Sequence, residues 1–133
     1  ILYFLDKHLP EPDHLVRPTD PLPIVVDEAE IRGLFPTDDR LENYRALNKA
    51  VREIGLNIPP LVNAYMALSP EMRVFGTAIN EDFGHVEETG ILIAIDEIIP
   101  DKRVRHIETF DPDKAQSDLL WTNISRRVRL VKS

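Results

Sequence analysis

The sequence contains no cysteine in its 133 residues. A disulfide framework, a thiolate nucleophile and a thiolate-bound zinc ion are therefore all excluded for this chain. A reducing compartment is permitted by this composition but does not follow from it.

Long apolar runs are also missing from the sequence. The longest uninterrupted run, residues 91–95, is far shorter than the roughly 20 residues that cross a bilayer. The apolar opening, residues 1–5, lacks the length and the small-residue cleavage site of a signal peptide. These residues resemble the middle of an amphipathic helix and no methionine precedes them, so we expect the chain to be a piece of a longer protein.

Basic charge is scarce over most of the chain. The formal net charge is −7, which argues against general nucleic-acid binding because that function needs a basic surface. Residues 113–133 carry five cations against two aspartates, a local charge of +3, which leaves −10 for residues 1–112. We therefore expect the acidic body and the basic tail to have separate roles.

The basic tail, residues 113–133, is predicted to be helical, although residues 126–132 could equally form a strand. Its apolar residues at helical spacing are Leu119, Leu120, Ile124 and Val128. Two roles stay open for this tail. It could lie on an anionic membrane with Trp121 at the interface, or it could dock on the domain as a helix.

Histidine and serine are too scattered to indicate chemistry. No two histidines lie three or four residues apart, so no zinc site is predicted, and no serine has a G-x-S-x-G setting. The histidines are His8, His14, His85 and His106. We expect neither a bound metal nor nucleophilic catalysis by serine.

The first third of the chain predicts two short helices joined by a connector. A helix at residues 1–9 is stopped by Pro10. Prolines at positions 10, 12, 18, 21 and 23 then predict a stiff extended connector of about 14 residues along a surface. Asp27, followed three residues later by Glu30, predicts the start of a short helix through Leu34.

Two further helices are predicted before the strands. One begins after Thr37 and ends at Gly55, and its apolar face comprises Leu41, Tyr44, Leu47, Val51 and Ile54. The next begins at Pro59 and Pro60 and ends at Ser69. Its predicted core-facing residues are Leu61, Val62, Tyr65 and Leu68.

Residues 72–95 predict the β-hairpin around which the chain is organised. β-favouring residues lead into a polar turn at residues 80–84, and the strand pattern resumes at Thr89. Because residues 91–95 are apolar on both faces, we expect the second strand to lie inside a sheet covered by helices. The alternation in residues 103–110 predicts a third strand.

Polar side chains crowd the predicted hairpin turn: Asn80, Glu81, Asp82, Glu87 and Glu88. They could hold a divalent cation, contact a substrate amine or supply a general base. The spacing of an EF-hand is missing and charged turns are common, so a substrate contact is favoured over a metal ion. Glu88 adjoins the apolar strand and is expected to face inward. Residues 73–78 fit an R-x-x-G-x-A phosphate loop, but no helix follows them, so a strand is favoured.

Three strings of residues resemble a known family. They are NIPPLVNAYM at residues 57–66, MRVFGTAIN at residues 72–80, and FG followed by VEETGI at residues 83–91. The strings look like the closing segment of the hemolysin-like acyltransferases of Bacteroides-type bacteria. These are GNAT-fold proteins related to the ornithine-acyl carrier protein N-acyltransferases of aminolipid synthesis. The resemblance covers residues 1–112, and its strings are packing and turn residues.

The resemblance implies an α+β fold, with helices packed on a small antiparallel sheet, that forms the C-terminal half of a GNAT-like acyltransferase. It implies that the parent enzyme moves a fatty acyl group from an acyl carrier protein or coenzyme A thioester to the α-amine of ornithine or glycine. The late strands would form one wall of the acceptor pocket, with Asn80, Asp82 and Glu88 as substrate contacts. No catalytic residue is assigned.

The resemblance also implies binding partners and a cellular location. The thioester-binding half would precede Ile1, so this segment should bind no cofactor and should be inactive alone. The implied partners are that missing half, an acyl carrier protein and a small amino acid, in the cytoplasm. Peripheral contact with the inner membrane and homo-oligomerisation stay open.

The competing hypothesis is a non-catalytic interaction domain, whose acidic body docks a partner while its basic tail touches a membrane or an acidic protein. Exposed surface should separate the two. An enzyme fragment should expose a large apolar patch where its missing half belongs, whereas a self-sufficient module should have a closed core and a charged surface.

Overall fold

The computed structural model describes residues 1–109 and residue 111. The chain divides into two compact units, Ile1–Ile98 and Ile99–Ser133. The basic tail, residues 113–133, lies outside the described residues, so its predicted helix stays a prediction.

The first unit consists of helices followed by a β-hairpin. Its elements are α1 (Leu2–His8), α2 (Glu28–Leu34), α3 (Arg40–Glu53), α4 (Pro60–Leu68), β1 (Arg73–Asn80) and β2 (Val86–Leu92). Buried residues of α1 and α3 share one core with residues of β1. The predicted α+β fold class is therefore confirmed. Among the described residues, no helix is long and apolar enough to span a membrane.

Local sequence signals set the helix ends. Asp27 caps α2 by accepting a hydrogen bond from the Glu30 N–H at 2.9 Å, and Asp39 caps α3 by accepting one from the Glu42 N–H at 2.7 Å. Gly55 follows α3 with φ +77°, a conformation that glycine adopts at little cost. The predicted cap at Asp27 and the predicted end at Gly55 are confirmed.

The core lies between α1, α3 and β1. Phe4 is its largest fully buried side chain, and its ring centroid lies 6.1 Å from those of Phe35 and Tyr44. The buried apolar residues are Phe4, Leu5, Leu9, Phe35, Leu47, Val51, Ile58, Met72 and Val74. The face predicted for α3 is only partly buried, since Leu41 and Ile54 are 57% and 71% exposed.

Helix α4 starts at Pro60 as predicted but does not bury the predicted face. Leu61 is 65% exposed, Tyr65 is 39% exposed, and no residue of the helix is fully buried. Val62, which was predicted to face the core, does contact it, together with Met66 one helical turn further on. The expectation that Leu61 and Tyr65 face the core is therefore wrong, because no described element covers that side of the helix.

The two strands form an antiparallel hairpin whose register runs from Arg73 opposite Leu92 to Asn80 opposite Val86. The pairing is irregular between Val74 and Gly76. Gly76 has φ +121°, which is accessible to glycine and strained for other residues. The bulge therefore depends on a glycine at this position.

The proline-rich connector occupies the other edge of β1. The Val74 N–H donates to the Leu9 carbonyl at 2.7 Å, and the Glu11 N–H donates to the Val74 carbonyl at 2.9 Å. Further along, the Leu22 N–H donates to the Thr77 carbonyl at 2.9 Å. The connector is thus held along the sheet edge, and β1 is bonded on both sides.

Strand β2 ends at Leu92, and the residues after it turn away in a 3₁₀ segment, Ile95–Glu97. An ion pair at 2.7 Å joins Arg73 to Glu97 and holds this turn beside the start of β1. Within the described part of the chain β2 pairs with β1 alone. The expectation of a strand inside a larger sheet is therefore wrong there.

In the second unit, α5 (Pro100–Arg103) continues into one π-helical turn, Val104–Glu108. The predicted third strand is therefore wrong across residues 103–109, and Phe110 lies outside the described residues. Pro100 at the first helical position favours a helix start. Thr109 closes the end by donating its hydroxyl to the Arg105 carbonyl at 2.9 Å.

Candidate functional site

The three residues predicted to contact substrate lie around the hairpin turn. Asn80 donates from Nδ2 to Glu88 Oε1 at 3.0 Å, and its Oδ1 accepts from the Phe83 N–H at 3.1 Å. Asp82 lies in the turn itself, and both Asp82 and Glu88 are exposed. The structure brings Asn80 and Glu88 together, but the expectation that Glu88 faces inward is wrong.

The opposite face of the hairpin carries a different polar set. Strand side chains alternate between faces, so Glu87 shares a face with Thr77 and Thr89 rather than with Glu88. The Thr77 and Thr89 hydroxyls lie 2.8 Å apart across the strands, and Thr77 is 5% exposed. Thr77 is therefore buried, Thr89 is half-buried, and the exposed Glu87 lies on the same strand face.

An apolar groove of about 470 Å³, here called the strand groove, runs along that face. Its walls come from α1, from α4 and from both strands, and within the described part of the chain Glu87 is the one charged side chain lining it. The apolar wall includes Leu2, Leu5, Leu61, Val62, Tyr65 and Ile91. The groove combines an apolar surface with two hydroxyls and one carboxylate at its strand side.

A second cavity, here called the helical cleft, has a volume of about 620 Å³ and is lined by residues of α1, α3 and α4. The Tyr44 hydroxyl donates to Asn63 Oδ1 at 2.7 Å, and the Arg40 guanidinium donates to the Pro70 carbonyl at 2.7 Å. Helix α4 lines both cavities, because Leu61 and Tyr65 contribute to one while Asn63 and Met66 contribute to the other. Its exposed apolar surface is thus shared between two cavities.

Beside the helical cleft, Asn43 links α3 to α1. Its Nδ2 donates to the Thr37 carbonyl at 2.8 Å and lies 2.9 Å from His8 Nε2. An amide nitrogen only donates, so His8 Nε2 accepts and the ring is neutral with its proton on Nδ1. Burial of the ring lowers the pKa of His8, and the positive charges of Lys7 and Arg40 lower it further.

Glu11 anchors the connector through its carboxylate. The two oxygens accept hydrogen bonds from the N–H groups of Asp13 and Leu15 at 3.0 and 2.9 Å. Desolvation opposes the charged form, but the donors from Leu15 and Asp13 prevail and lower the pKa of Glu11. The side chain is nearly buried, so its role is to hold the connector's turn.

Two further kinds of site, for a metal ion and for a phosphate, find no support in the described residues. Within residues 1–109 and residue 111, no three histidine or carboxylate side chains come together in a way that could hold a metal ion. The R-x-x-G-x-A string, residues 73–78, lies wholly within β1. The strand favoured by the sequence for these residues is therefore confirmed.

The fold and its two cavities define an α+β segment with apolar, ligand-sized surfaces and a few polar groups. The chain is 60% identical over 110 residues to the Glycine N(alpha)-acyltransferase of Bacteroides thetaiotaomicron, covering 83% of this chain and 33% of that protein. It is 61% identical over 110 residues to the Glycine N(alpha)-acyltransferase of Phocaeicola vulgatus, covering 83% of this chain and 34% of that protein.

The predicted resemblance to acyltransferases is confirmed by these relatives. The chain spans about a third of the length of the curated relatives it matches. No protein-family model and no solved structure matches the chain.

Sequence reasoning missed Glu87 as a residue of the strand groove. A signal was present, because counting back in twos from Ile91 gives Thr89 and then Glu87 on one strand face. The Asn43–His8 contact joins residues 35 positions apart. No local pattern could have indicated that contact.

Proposed function

We propose that this chain is part of an N-acyltransferase that moves a fatty acyl group from a thioester to the α-amine of an amino acid. The observation that carries the proposal is 60% identity over 110 residues with a Glycine N(alpha)-acyltransferase. Glycine is therefore the first acceptor to test, and ornithine is the second. The donor is an acyl carrier protein or coenzyme A thioester.

The reaction requires a proton acceptor for the amine and hydrogen-bond donors for the oxyanion. The acceptor ammonium first loses a proton to a carboxylate or to water, and the free amine then attacks the thioester carbonyl carbon. A C–N amide bond forms, the C–S bond breaks, and the thiol leaves with a proton. Backbone N–H groups can stabilise the oxyanion formed on the way.

Two sets of residues on β2 are candidates for contact with the acceptor amine. We favour Glu87, an exposed residue, because it lines the apolar strand groove together with Thr77 and Thr89. An amine in such a groove would meet one anionic group that can bind its charge or take its proton. The alternative acceptor wall is the set at the hairpin turn, Asn80, Asp82 and Glu88.

Exposed apolar side chains support a role within a longer chain. Leu61 is 65% exposed and Tyr65 is 39% exposed, and both line the strand groove. We propose that the rest of the parent chain covers part of this surface and supplies the thioester site, giving a GNAT-type fold. The interaction-domain hypothesis predicts a closed core and a charged surface, which fits these side chains less well.

Further parts of the proposal concern location and assembly. The parent would act in the cytoplasm, with its basic tail against an anionic inner-membrane surface. The acyl product is amphiphilic, so a position at the membrane would suit its release. Homo-oligomerisation is a second way in which the exposed apolar surface could be covered.

The test is acyl transfer by the full-length parent, using acyl carrier protein and coenzyme A thioesters with glycine, ornithine and serine as acceptors. We expect product with glycine, and we expect Glu87→Gln to lower kcat by a factor of about 10²–10⁴, the usual range for a general base. Glu88→Gln on the opposite strand face is the matched control and should stay within a few-fold of the wild type.

Other outcomes of this assay are equally decisive. A large loss in Glu88→Gln with none in Glu87→Gln would move the acceptor site to the turn residues. No product with any acceptor would overturn the acyltransferase and favour the interaction domain. Transfer by the 133-residue chain alone at the parent's rate would contradict the proposed need for the rest of the protein.

A further inference from the structure

The helical cleft differs in charge from the body around it. Residues 1–112 carry a net charge of −10, yet the ten described residues that line the cleft include one cation, Arg40, and no carboxylate. Phe4, Leu41, Met66 and Ala67 supply apolar wall. Its volume of about 620 Å³ lies within the usual range for small-molecule sites.

The polar groups of the cleft are arranged around its apolar wall. Arg40 uses one of its five N–H donors on the Pro70 carbonyl at 2.7 Å, which fixes the guanidinium at the cleft and leaves donors for an anion. Tyr44 donates to Asn63 Oδ1 at 2.7 Å, so Nδ2 is the group that Asn63 can offer to a ligand carbonyl. The cleft therefore presents an apolar wall, an amide donor and a cation.

We infer that the helical cleft is a second site, separate from the strand groove, that binds a long-chain N-acyl amino acid, the product class of the proposed reaction. The acyl chain would lie against Leu41, Met66 and Ala67, the product amide would accept from Asn63, and the carboxylate would pair with Arg40. The identity of this ligand rests on the proposed function. The preference for a carboxylate rests on the charge of the cleft alone.

The geometry disfavours other occupants. Desolvating an anion elsewhere on this acidic surface would be costly, whereas the Arg40 guanidinium can hold a carboxylate by two parallel hydrogen bonds. A neutral amphiphile would use the apolar wall but could form no ion pair with Arg40. An acidic ligand with a single acyl chain uses all three features of the cleft.

The experiment is calorimetric binding of N-dodecanoylglycine to the full-length parent without thioester, so that no turnover occurs. Dodecanoate, which lacks the amide, and the methyl ester of N-dodecanoylglycine, which lacks the charge, are the comparison ligands. We expect N-dodecanoylglycine to bind most tightly. Arg40→Gln should weaken its binding about tenfold, as loss of a charged hydrogen bond does, and leave ester binding unchanged.

Two further variants complete the design. Ala67→Trp fills the cleft from an exposed position and should abolish binding of all three ligands. Arg45→Gln, an exposed arginine on the same helix outside the cleft, is the matched control and should bind like the wild type. Thermal melting of each variant verifies that the fold is intact, and Arg40→Gln tests the site if Ala67→Trp fails to fold.

Several results would overturn the inference. These are equal binding of acid and ester by the wild type, equal binding of dodecanoate and N-dodecanoylglycine, or an Arg40→Gln variant that binds like Arg45→Gln. The assay does not depend on acyl transfer. If the parent binds the ligand as expected but transfers no acyl group, the inference about the cleft stands and the proposed function is contradicted. If it transfers the acyl group but does not bind the ligand in this way, the proposed function stands and the inference is contradicted.

Discussion

Helices α1 and α4 illustrate two uses of apolar sequence in one small fold. Helix α1 contains charged residues, yet it buries Phe4 and Leu5 in the core. Helix α4 carries no charged residue and buries none of its side chains fully. Apolar composition alone therefore did not decide burial here. What decided it was whether another described element lies over the helix, and over α4 there are two cavities instead.

The largest effect we expect comes from truncating Phe4, a buried residue of α1. Phe4→Ala removes a side chain that is 1% exposed and leaves a cavity, so the free energy of unfolding should fall by about 3–5 kcal/mol. Leu61→Ala on α4 should change it by less than about 0.5 kcal/mol, because the residue is largely exposed. Denaturant unfolding of both variants measures the difference.

The contrast between α1 and α4 would be contradicted if Leu61→Ala lowered the free energy of unfolding as much as Phe4→Ala does. That outcome would mean that the exposed face of α4 is covered in solution, either by a second copy or by residues outside those described. Sedimentation of the wild-type chain would separate these two explanations.

The sequence predicted the parts of the fold that depend on local chemistry. Asp27, Pro60 and Gly55 act within one helical turn, and each does what its residue type favours. The burial of Leu61 and the environment of residues 91–95 depend on distant parts of the chain. Periodicity shows that a face is apolar, but it does not show what covers that face.

The candidate site was predicted less completely than the fold. The hairpin and its polar turn were found, but Glu88 was favoured over Glu87 because it adjoins the apolar run. The strand register reverses that choice, since a shift of one residue exchanges the two faces. The helical cleft combines Phe4, Arg40 and Asn63 from three separate helices, and no local motif links them.

The next largest effect concerns the backbone at two glycines, Gly76 in β1 and Gly33 in α2. Gly76→Ala places a side chain at φ +121° in the β1 bulge, so the backbone strain should cost about 1–3 kcal/mol. Crowding is not the cause, since the added Cβ would lie 3.6 Å from the nearest atom, Pro18 Cγ. Gly33→Ala in α2, where the space is open, should instead stabilise by about 0.5–1 kcal/mol.

Equilibrium unfolding of the two glycine variants, compared at equal temperature, gives both signs in one experiment. If Gly76→Ala left the free energy of unfolding unchanged, the backbone at the bulge would be able to rearrange at little cost. The positive φ would then not require a glycine at this position.

The smallest expected effect is a pH dependence at the contact between α1 and α3. The folded-state pKa of His8 lies below its ordinary value of 6.5, because burial and the charges of Lys7 and Arg40 outweigh Asp38 and Asp39. The unfolded chain therefore takes up the proton first as the pH falls. The stabilisation from neutral His8 is complete above about pH 6.5 and is lost as the pH falls through the lowered pKa.

His8→Gln removes the titrating group while keeping an oxygen that can accept from Asn43 Nδ2. Its free energy of unfolding, measured from pH 8 to pH 4, should decline less steeply on acidification than that of the wild type. Subtracting the two curves cancels the other titrating groups and isolates His8. Parallel curves would show that the pKa of His8 does not differ between the folded and unfolded chains, and that the contact with Asn43 does not depend on a neutral imidazole.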